Sequence, residues 1–385
     1  MPQAPINFDH HAHTPLDPQV HAVLCRAFRE ADANVHANSP TAEQARAAVE
    51  HAREEVAALL GVASNEVVFT SGATESNNLA IQGLAAELSA RGRRRIVVGA
   101  GEHPSVIAAG ERLAGFEVVR ASLTPSGVVD LEALATLVTP TTGLVSVAAA
   151  NHETGVIQPL AEIGKIAHAV GALFHSDLAQ AAGRLAVELT AVDLASVSAH
   201  KLHGPLGIGG LVVRRAVRRR MQPLLAGGGQ EGGLRAGTLP APLCIGFGAA
   251  CEIARTRRSA DAARLARLRD RLLARLESST ALSVNGRLDG RLPNNLNVSF
   301  DGVDGEALVM YVRDRLTIAT GSACTSKALE PSHVLLAMGL SRSAAESAIR
   351  IGLGRDVDEV EIDAGAEILI AAVNDLVRLR RRSRA

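Results

Sequence analysis

The 385 residues carry 40 Lys+Arg against 40 Asp+Glu, and 47% of them are hydrophobic, enough for a full core and for two or more domains. Zero net charge and 2% aromatic residues leave neither a general attraction to phosphate backbones nor rings for stacking bases, so nucleic acid is not expected as a direct partner. The longest apolar runs, such as 144–150, fall far short of the roughly 18 residues needed to span a bilayer, which argues against a membrane protein.

The opening residues lack a basic start followed by an apolar stretch. The four cysteines, Cys25, Cys244, Cys251 and Cys324, are too scattered for a disulfide framework. A cytoplasmic protein is expected. No CxxC pair marks a structural zinc site, and no metal is assigned.

Along the chain, Val/Ile-rich segments alternate with helical periods, the pattern of strands crossed over by helices. Strands are predicted at 66–70, 95–99, 117–120, 144–149, 172–176, 194–198 and 209–213. Helices fall between them at 42–60, 75–90, 106–114, 131–138 and 160–170. The fold class is therefore α/β, with a mostly parallel seven-stranded sheet covered on both faces. A long helical pattern from about 243 to 278 leads into a smaller α+β unit with strands near 295–300 and 317–320 and helices near 306–313 and 358–382. The expected division is a large domain, 14–257, and a small one made of 1–13 with 258–385. The arginine runs 93–95 and 218–220 are expected as solvated ends of elements.

Four stretches carry chemistry. In the stretch 67–79 a strand ends in Thr70-Ser71-Gly72-Ala73-Thr74 before a helix begins, where free N–H groups and the helix dipole suit an anion. Thr74 and Ser71 would also serve as ordinary caps. In the stretch 194–205 an apolar strand ends in Ser198-Ala199-His200-Lys201. Burial would favour the neutral amine that attacks an aldehyde, although a snorkelling strand-end lysine fits as well. Lys165 lies in a periodic helix and reads as a surface charge. In the stretch 171–180 a strand delivers Asp177 to its C-terminal edge, where open α/β sheets bind ligands. There it could hold a ring nitrogen protonated or merely cap the next helix. In 319–327 Cys324 lies in a small polar loop with Lys327 nearby, a setting for a reactive thiol. Cys25, Cys244 and Cys251 sit in apolar helical contexts and read as inert core.

The order of Thr-Ser-Gly-Ala-Thr-Glu-Ser at 70–76, Glu-His at 102–103, Ser-Ala-His-Lys at 198–201, Gly-Thr-Leu at 237–239 and Gly-Ser-Ala-Cys-Thr-Ser at 321–326 resembles the pyridoxal-phosphate cysteine desulfurases of the NifS/IscS type, over nearly the whole chain. The resemblance implies a fold-type I enzyme that converts L-cysteine to L-alanine and leaves a persulfide on Cys324 for a sulfur-acceptor protein, such as an iron–sulfur scaffold. It implies pyridoxal 5'-phosphate joined to Lys201, with its phosphate held by Ala73, Thr74, Ser198, His200 and, across a homodimer interface, Thr238. Asp177 would meet the ring nitrogen, Gln180 the ring oxygen, His103 would stack on the ring and move a proton, and Arg350 would bind the substrate carboxylate.

Several positions depart from the family. His152 stands where an asparagine is usual near the cofactor's oxygen, and it could still donate a hydrogen bond. His10, His11 and His13 occupy an N-terminal motif that usually reads Tyr-Ser-Ala-Thr-Thr-Pro. They read as histidines near the substrate mouth, with a metal site as the lesser alternative. Gly232 replaces a usual arginine and Leu206 a common lysine. Rival activities are a selenocysteine lyase or another β-eliminating lyase. From a different class comes a catalytically weakened sulfur-relay or scaffold protein.

Overall fold

A computed structural model describes residues 5–321 and 330–382. Strands are numbered in chain order: β1 Ile6–Asn7, β2 Val67–Thr70, β3 Arg95–Gly99, β4 Glu117–Ala121, β5 Thr142–Ser146, β6 Leu173–Asp177, β7 Leu194–Ser198, β8 Gly209–Val213, β9 Leu282–Val284, β10 Asn295–Phe300, β11 Leu316–Thr317 and β12 Ala348–Gly352. Seven form one sheet in the order β2-β8-β7-β6-β5-β3-β4. β8 runs antiparallel to both neighbours, and the other pairings are parallel. Residues of β5 to β8 are buried throughout, as expected where helices cover both faces of a sheet.

Alternation along each strand sends neighbouring side chains to opposite layers. Val97, Val145, Phe174 and Val212 join one core with the helices Pro40–Leu60 and Leu160–Ala169. Ile96, Val98, Leu144, Leu173, Leu211 and Val213 join the other with the helix Ala73–Gln82. The helix Ala241–Glu277 leaves this region for a second core. Cys244, Phe247 and Cys251 lie in the first, whereas Leu265, Leu268, Leu272 and Leu276 pack with Phe8, Val298, Ile349 and Leu369 in the second. That core is built on the antiparallel sheet β12-β10-β9 and on the helices Gly305–Val312 and Glu359–Arg382.

Most predicted elements occur within a few residues of their expected bounds, but several expectations change. The helix expected over 75–90 is two, Ala73–Gln82 and Ala85–Ala90. At the break, the Gly83 carbonyl accepts a hydrogen bond from Gln222 N at 2.8 Å, and a Cβ at Gly83 would come 2.9 Å from Gln222 O. The strand near 317–320 reduces to β11, with Ala319 touching Arg350 through one isolated bridge. β12 and the helix Pro18–Glu30 were not anticipated. Cys25 is exposed on that helix, which buries Val20, Leu24 and Ala27 instead. The arginine runs are partly buried and tie loops together. Arg93 bonds the carbonyls of Thr142 and Val170, and Arg218 those of Asn65 and Glu231. Lys165 is exposed, as expected.

Candidate active site

The C-terminal ends of β6 and β7 and the start of the helix Ala73–Gln82 surround a cavity of about 320 Å³, large enough for a small-molecule ligand. Ala73, Thr74, His103, His152, Asp177, Gln180, Ser198, His200, Lys201 and Arg350 all line it. These residues come from segments up to some 277 positions apart in the chain.

The helix Ala73–Gln82 begins after Gly72, at φ 151°, with no side-chain cap. Its first-turn N–H groups therefore lack the usual side-chain acceptor. Gly209 of β8 lies against this junction and leaves room for it. A Cβ on Gly209 would sit 2.7 Å from Gly72 Cα. Beside the helix start, Ser198 Oγ lies 2.8 Å from His200 Nδ1. Burial and the neighbouring Lys201 and His13 lower the His200 pKa to about 4, so its ring is a neutral hydrogen-bonding group at neutral pH.

β7 is entirely buried and ends in a tight turn, Ala199–Lys201, that carries the lysine into the cavity. Lys201 Nζ donates to the carbonyl of His11, and to that of Ala12 at 2.6 Å. On the adjacent strand, Asp177 is fixed at both oxygens. Asn77 Nδ2 donates to Oδ2 and Ala179 N to Oδ1, each at 2.8 Å. No helix lies between β6 and β7, so the expected helix cap is instead a bond to the turn at Ala179, and it coexists with placement in the cavity.

Asn77 was missed by sequence reasoning, although it lies three residues past Thr74 on the cradle helix. Its amide also donates to Ser105 Oγ at 2.9 Å, and Ser105 N donates to His103 Nδ1 at 3.1 Å. One asparagine thus connects, through Ser105, the Asp177 carboxylate to the His103 imidazole, both of which line the cavity. His103 caps the helix Pro104–Glu111 through that bond, which leaves Nε2 to carry the proton in the neutral ring. Burial lowers the His103 pKa. The charges of Lys201 and His333 add to the effect, while Asp177 opposes it.

His152 stands edge-on to His103, with ring centroids 5.4 Å apart, and 6.3 Å from His333. Burial first, and then the charges of His103 and Arg350, hold it well below the usual imidazole range. His333 Nε2 lies 3.0 Å from the Glu102 carbonyl oxygen. The Glu102 side chain, 3% exposed, accepts from Ala148 N through Oε1 and has no partner at Oε2 among the described residues.

Arg350 lies on β12, fully buried, with Nη2 2.9 Å from Asp9 Oδ1 and Nη1 donating to the His152 carbonyl at 3.2 Å. Its Nε has no partner among the described residues, a donor of the kind a carboxylate fills. Of the N-terminal histidines, His11 lines the cavity, His13 stacks on His200 at 6.0 Å, and His10 is buried beside Arg184. One predicted residue, Thr238, does not line the cavity. It is exposed in the segment after Gly237, and Cys324 lies outside the described residues.

The donor set fits pyridoxal phosphate: an uncapped helix start for a phosphate, a carboxylate held by two N–H donors for a ring nitrogen, and an amine, all lining one cavity. Comparison with known proteins agrees. Residues 6–364 match the family model described as aminotransferase class-V. The cysteine desulfurase IscS of Rickettsia akari (strain Hartford) is 44% identical over 97% of this chain and 92% of its own, and that of Rickettsia bellii (strain OSU 85-389) is 43% identical with the same coverage. A solved structure described as a NifS-like protein superposes with a TM-score of 0.90 at 35% identity, covering 97% of this chain and all of the other. Fold, cavity and relatives together place the chain in the aminotransferase class-V family, among the pyridoxal-phosphate cysteine desulfurases of the NifS/IscS type.

Proposed function

We propose that this cysteine desulfurase uses the cavity around Lys201 to bind pyridoxal 5'-phosphate and L-cysteine, releasing L-alanine and leaving the sulfur as a persulfide on Cys324. The observation that carries the assignment is that ten residues chosen from the sequence line one cavity. When bound, pyridoxal phosphate supplies an aldehyde for an amine to condense with and a protonated ring that takes up the electrons freed at the substrate Cα.

The chain's own groups do the rest. Ala73, Thr74, Ser198 and His200 hold the phosphate, joined by Thr238 of the partner subunit in a homodimer. Asp177, oriented by Asn77, faces the ring nitrogen, and Gln180 and His152 face the ring oxygen. Arg350 binds the substrate carboxylate. The Lys201 amine takes the α-proton, and His103, neutral at working pH, moves a proton at the substrate. The Cys324 thiolate attacks the substrate sulfur. One C–S bond breaks and one S–S bond forms, so that cysteine and a thiol become alanine and a persulfide.

A sulfur-acceptor protein then takes the terminal sulfur, with an iron–sulfur scaffold as the favoured class and the cytoplasm as the place. The division into a large unit, 14–257, and a small one, 1–13 with 258–385, is supported by the two cores, since Phe8 belongs to the core formed by residues from Leu265 onward.

The test is reconstitution. The protein should turn yellow with pyridoxal phosphate, and borohydride should fix the cofactor's mass on the peptide that contains Lys201. Cys324→Ala should keep the colour and lose persulfide and sulfide formation. A colourless protein, or full activity in Cys324→Ala, would overturn the assignment. Faster turnover of selenocysteine than of cysteine would favour the lyase reading.

A further inference from the structure

His11, the second histidine of the N-terminal run, is fully buried between the Lys201 turn and β10. Its Nδ1 lies 2.8 Å from Gln180 Oε1 and its Nε2 3.1 Å from Asn295 Nδ2. Its main-chain oxygen accepts from Gln180 Nε2 at 3.1 Å and also from Lys201 Nζ.

Two main-chain carbonyls decide where the protons are. Asn295 Nδ2 donates to the Glu153 carbonyl at 3.0 Å, so the amide nitrogen of Asn295, not its oxygen, is the end that meets the ring. Gln180 Nε2 donates to the His11 carbonyl, so Gln180 Oε1 faces Nδ1. An acceptor at Nδ1 and a donor at Nε2 admit a single neutral tautomer, with the proton on Nδ1. Turning either amide round would set two oxygens against each other, at Glu153 O or at His11 O. Burial, with the charges of Arg184 and Arg350, keeps the ring from taking a second proton. The seat is also shaped for the ring, because a Cβ on Gly352 would overlap it.

We infer that His11 is a positioning residue for the reaction: its Nδ1–H locks the Gln180 amide in the orientation that leaves an N–H, not an oxygen, for the cofactor's ring oxygen. The inference rests on the assignment of the cavity to pyridoxal phosphate and goes beyond it. With Oε1 engaged by His11 and one hydrogen of Nε2 on the His11 carbonyl, the second hydrogen is what Gln180 has left for the cavity it lines. A flipped amide would place oxygen against oxygen and lose that bond. Because the same residue's carbonyl accepts from Lys201, one short segment sets both the amine and the amide.

Two measurements test this. In the cofactor-free protein labelled with nitrogen-15 at histidine, long-range proton–nitrogen spectra at neutral pH should show His11 as the Nδ1–H tautomer. An Nε2–H tautomer would overturn the proposal whatever the activity. After reconstitution, His11→Asn, which keeps a donor near the place of Nδ1, should match the wild-type absorption maximum and cofactor affinity. His11→Ala and His11→Gln should shift the maximum and bind the cofactor about tenfold more weakly, the loss of one hydrogen bond. A wild-type protein that takes up no cofactor would overturn the assignment of the cavity and this proposal together. A yellow wild type whose maximum and affinity persist in His11→Ala would overturn the role of His11 alone.

Discussion

Replacing Glu102 with glutamine removes a titratable group that the fold holds away from water. Burial, with the charge of Asp177 adding and the bond from Ala148 N opposing, pushes the Glu102 pKa from 4.5 up to about 8. A carboxyl whose folded pKa exceeds its unfolded one favours folding while protonated. Its contribution is intact below about pH 4.5 and is lost progressively as the pH rises through 8. At about 1.4 kcal/mol per pKa unit, that shift corresponds to a loss of 4 to 5 kcal/mol in order of magnitude by pH 9. Glutamine cannot ionise, so the variant carries none of this loss. The atom at the place of Oε2 lacks a partner in both proteins, as a carboxyl O–H or an amide N–H, and that cost does not vary with pH. The stability difference between variant and wild type should therefore grow by about 4 kcal/mol from pH 5 to pH 9. For a chain of this size, with an unfolding entropy of about 2 cal/mol/K per residue, the midpoint difference widens by about 5 °C. Thermal unfolding of both proteins over that pH range checks it. Midpoints that run parallel would refute a protonated Glu102 in the fold.

Three further outcomes follow from named contacts. Glu231→Gln removes the bidentate partner of Arg53, whose Nη1 and Nη2 lie 2.7 and 2.9 Å from its oxygens. Leaving that guanidinium buried with exposed Glu50 as its one carboxylate among the described residues, beside the Val67 carbonyl, should cost about 3 kcal/mol, read as a lower unfolding midpoint, and an unchanged midpoint counts against it. Asn77→Ala frees both Asp177 and Ser105, so kcat/KM should fall about tenfold through looser positioning, less than for Asp177→Asn. Equal losses in the two variants would show that Asn77 does more than orient. The acid limb of kcat/KM should lie below the ordinary histidine range, because His103 must be neutral to take a proton and burial lowers its pKa. That limb should vanish in His103→Gln, and its persistence there would assign it to another group.

The seven strands of the large sheet and three of the cavity-lining residues were legible in the sequence because their causes are local, whereas the other predicted lining residues came from the family resemblance. A buried strand such as β7 needs a continuous apolar run, and its last residues need small or polar side chains where the sheet edge meets a ligand. Lys201, Asp177 and Thr74 could therefore be named from their neighbours alone. Contacts between distant segments were not legible. Asn77 reaches Asp177 one hundred positions away, and His11 meets Gln180 over 169 and Asn295 over 284. A polar residue has the same local pattern whether it faces water or completes such a network. The same limit explains Cys25, whose apolar neighbours sit on the buried face of a helix that turns its thiol outward. The chain by itself determined which side chains can do the chemistry. Only the folding of the N-terminal loop and of β10 and β12 against the large sheet decided how those side chains are held, because a hydrogen-bond network is satisfied by partners in space and not by neighbours in sequence.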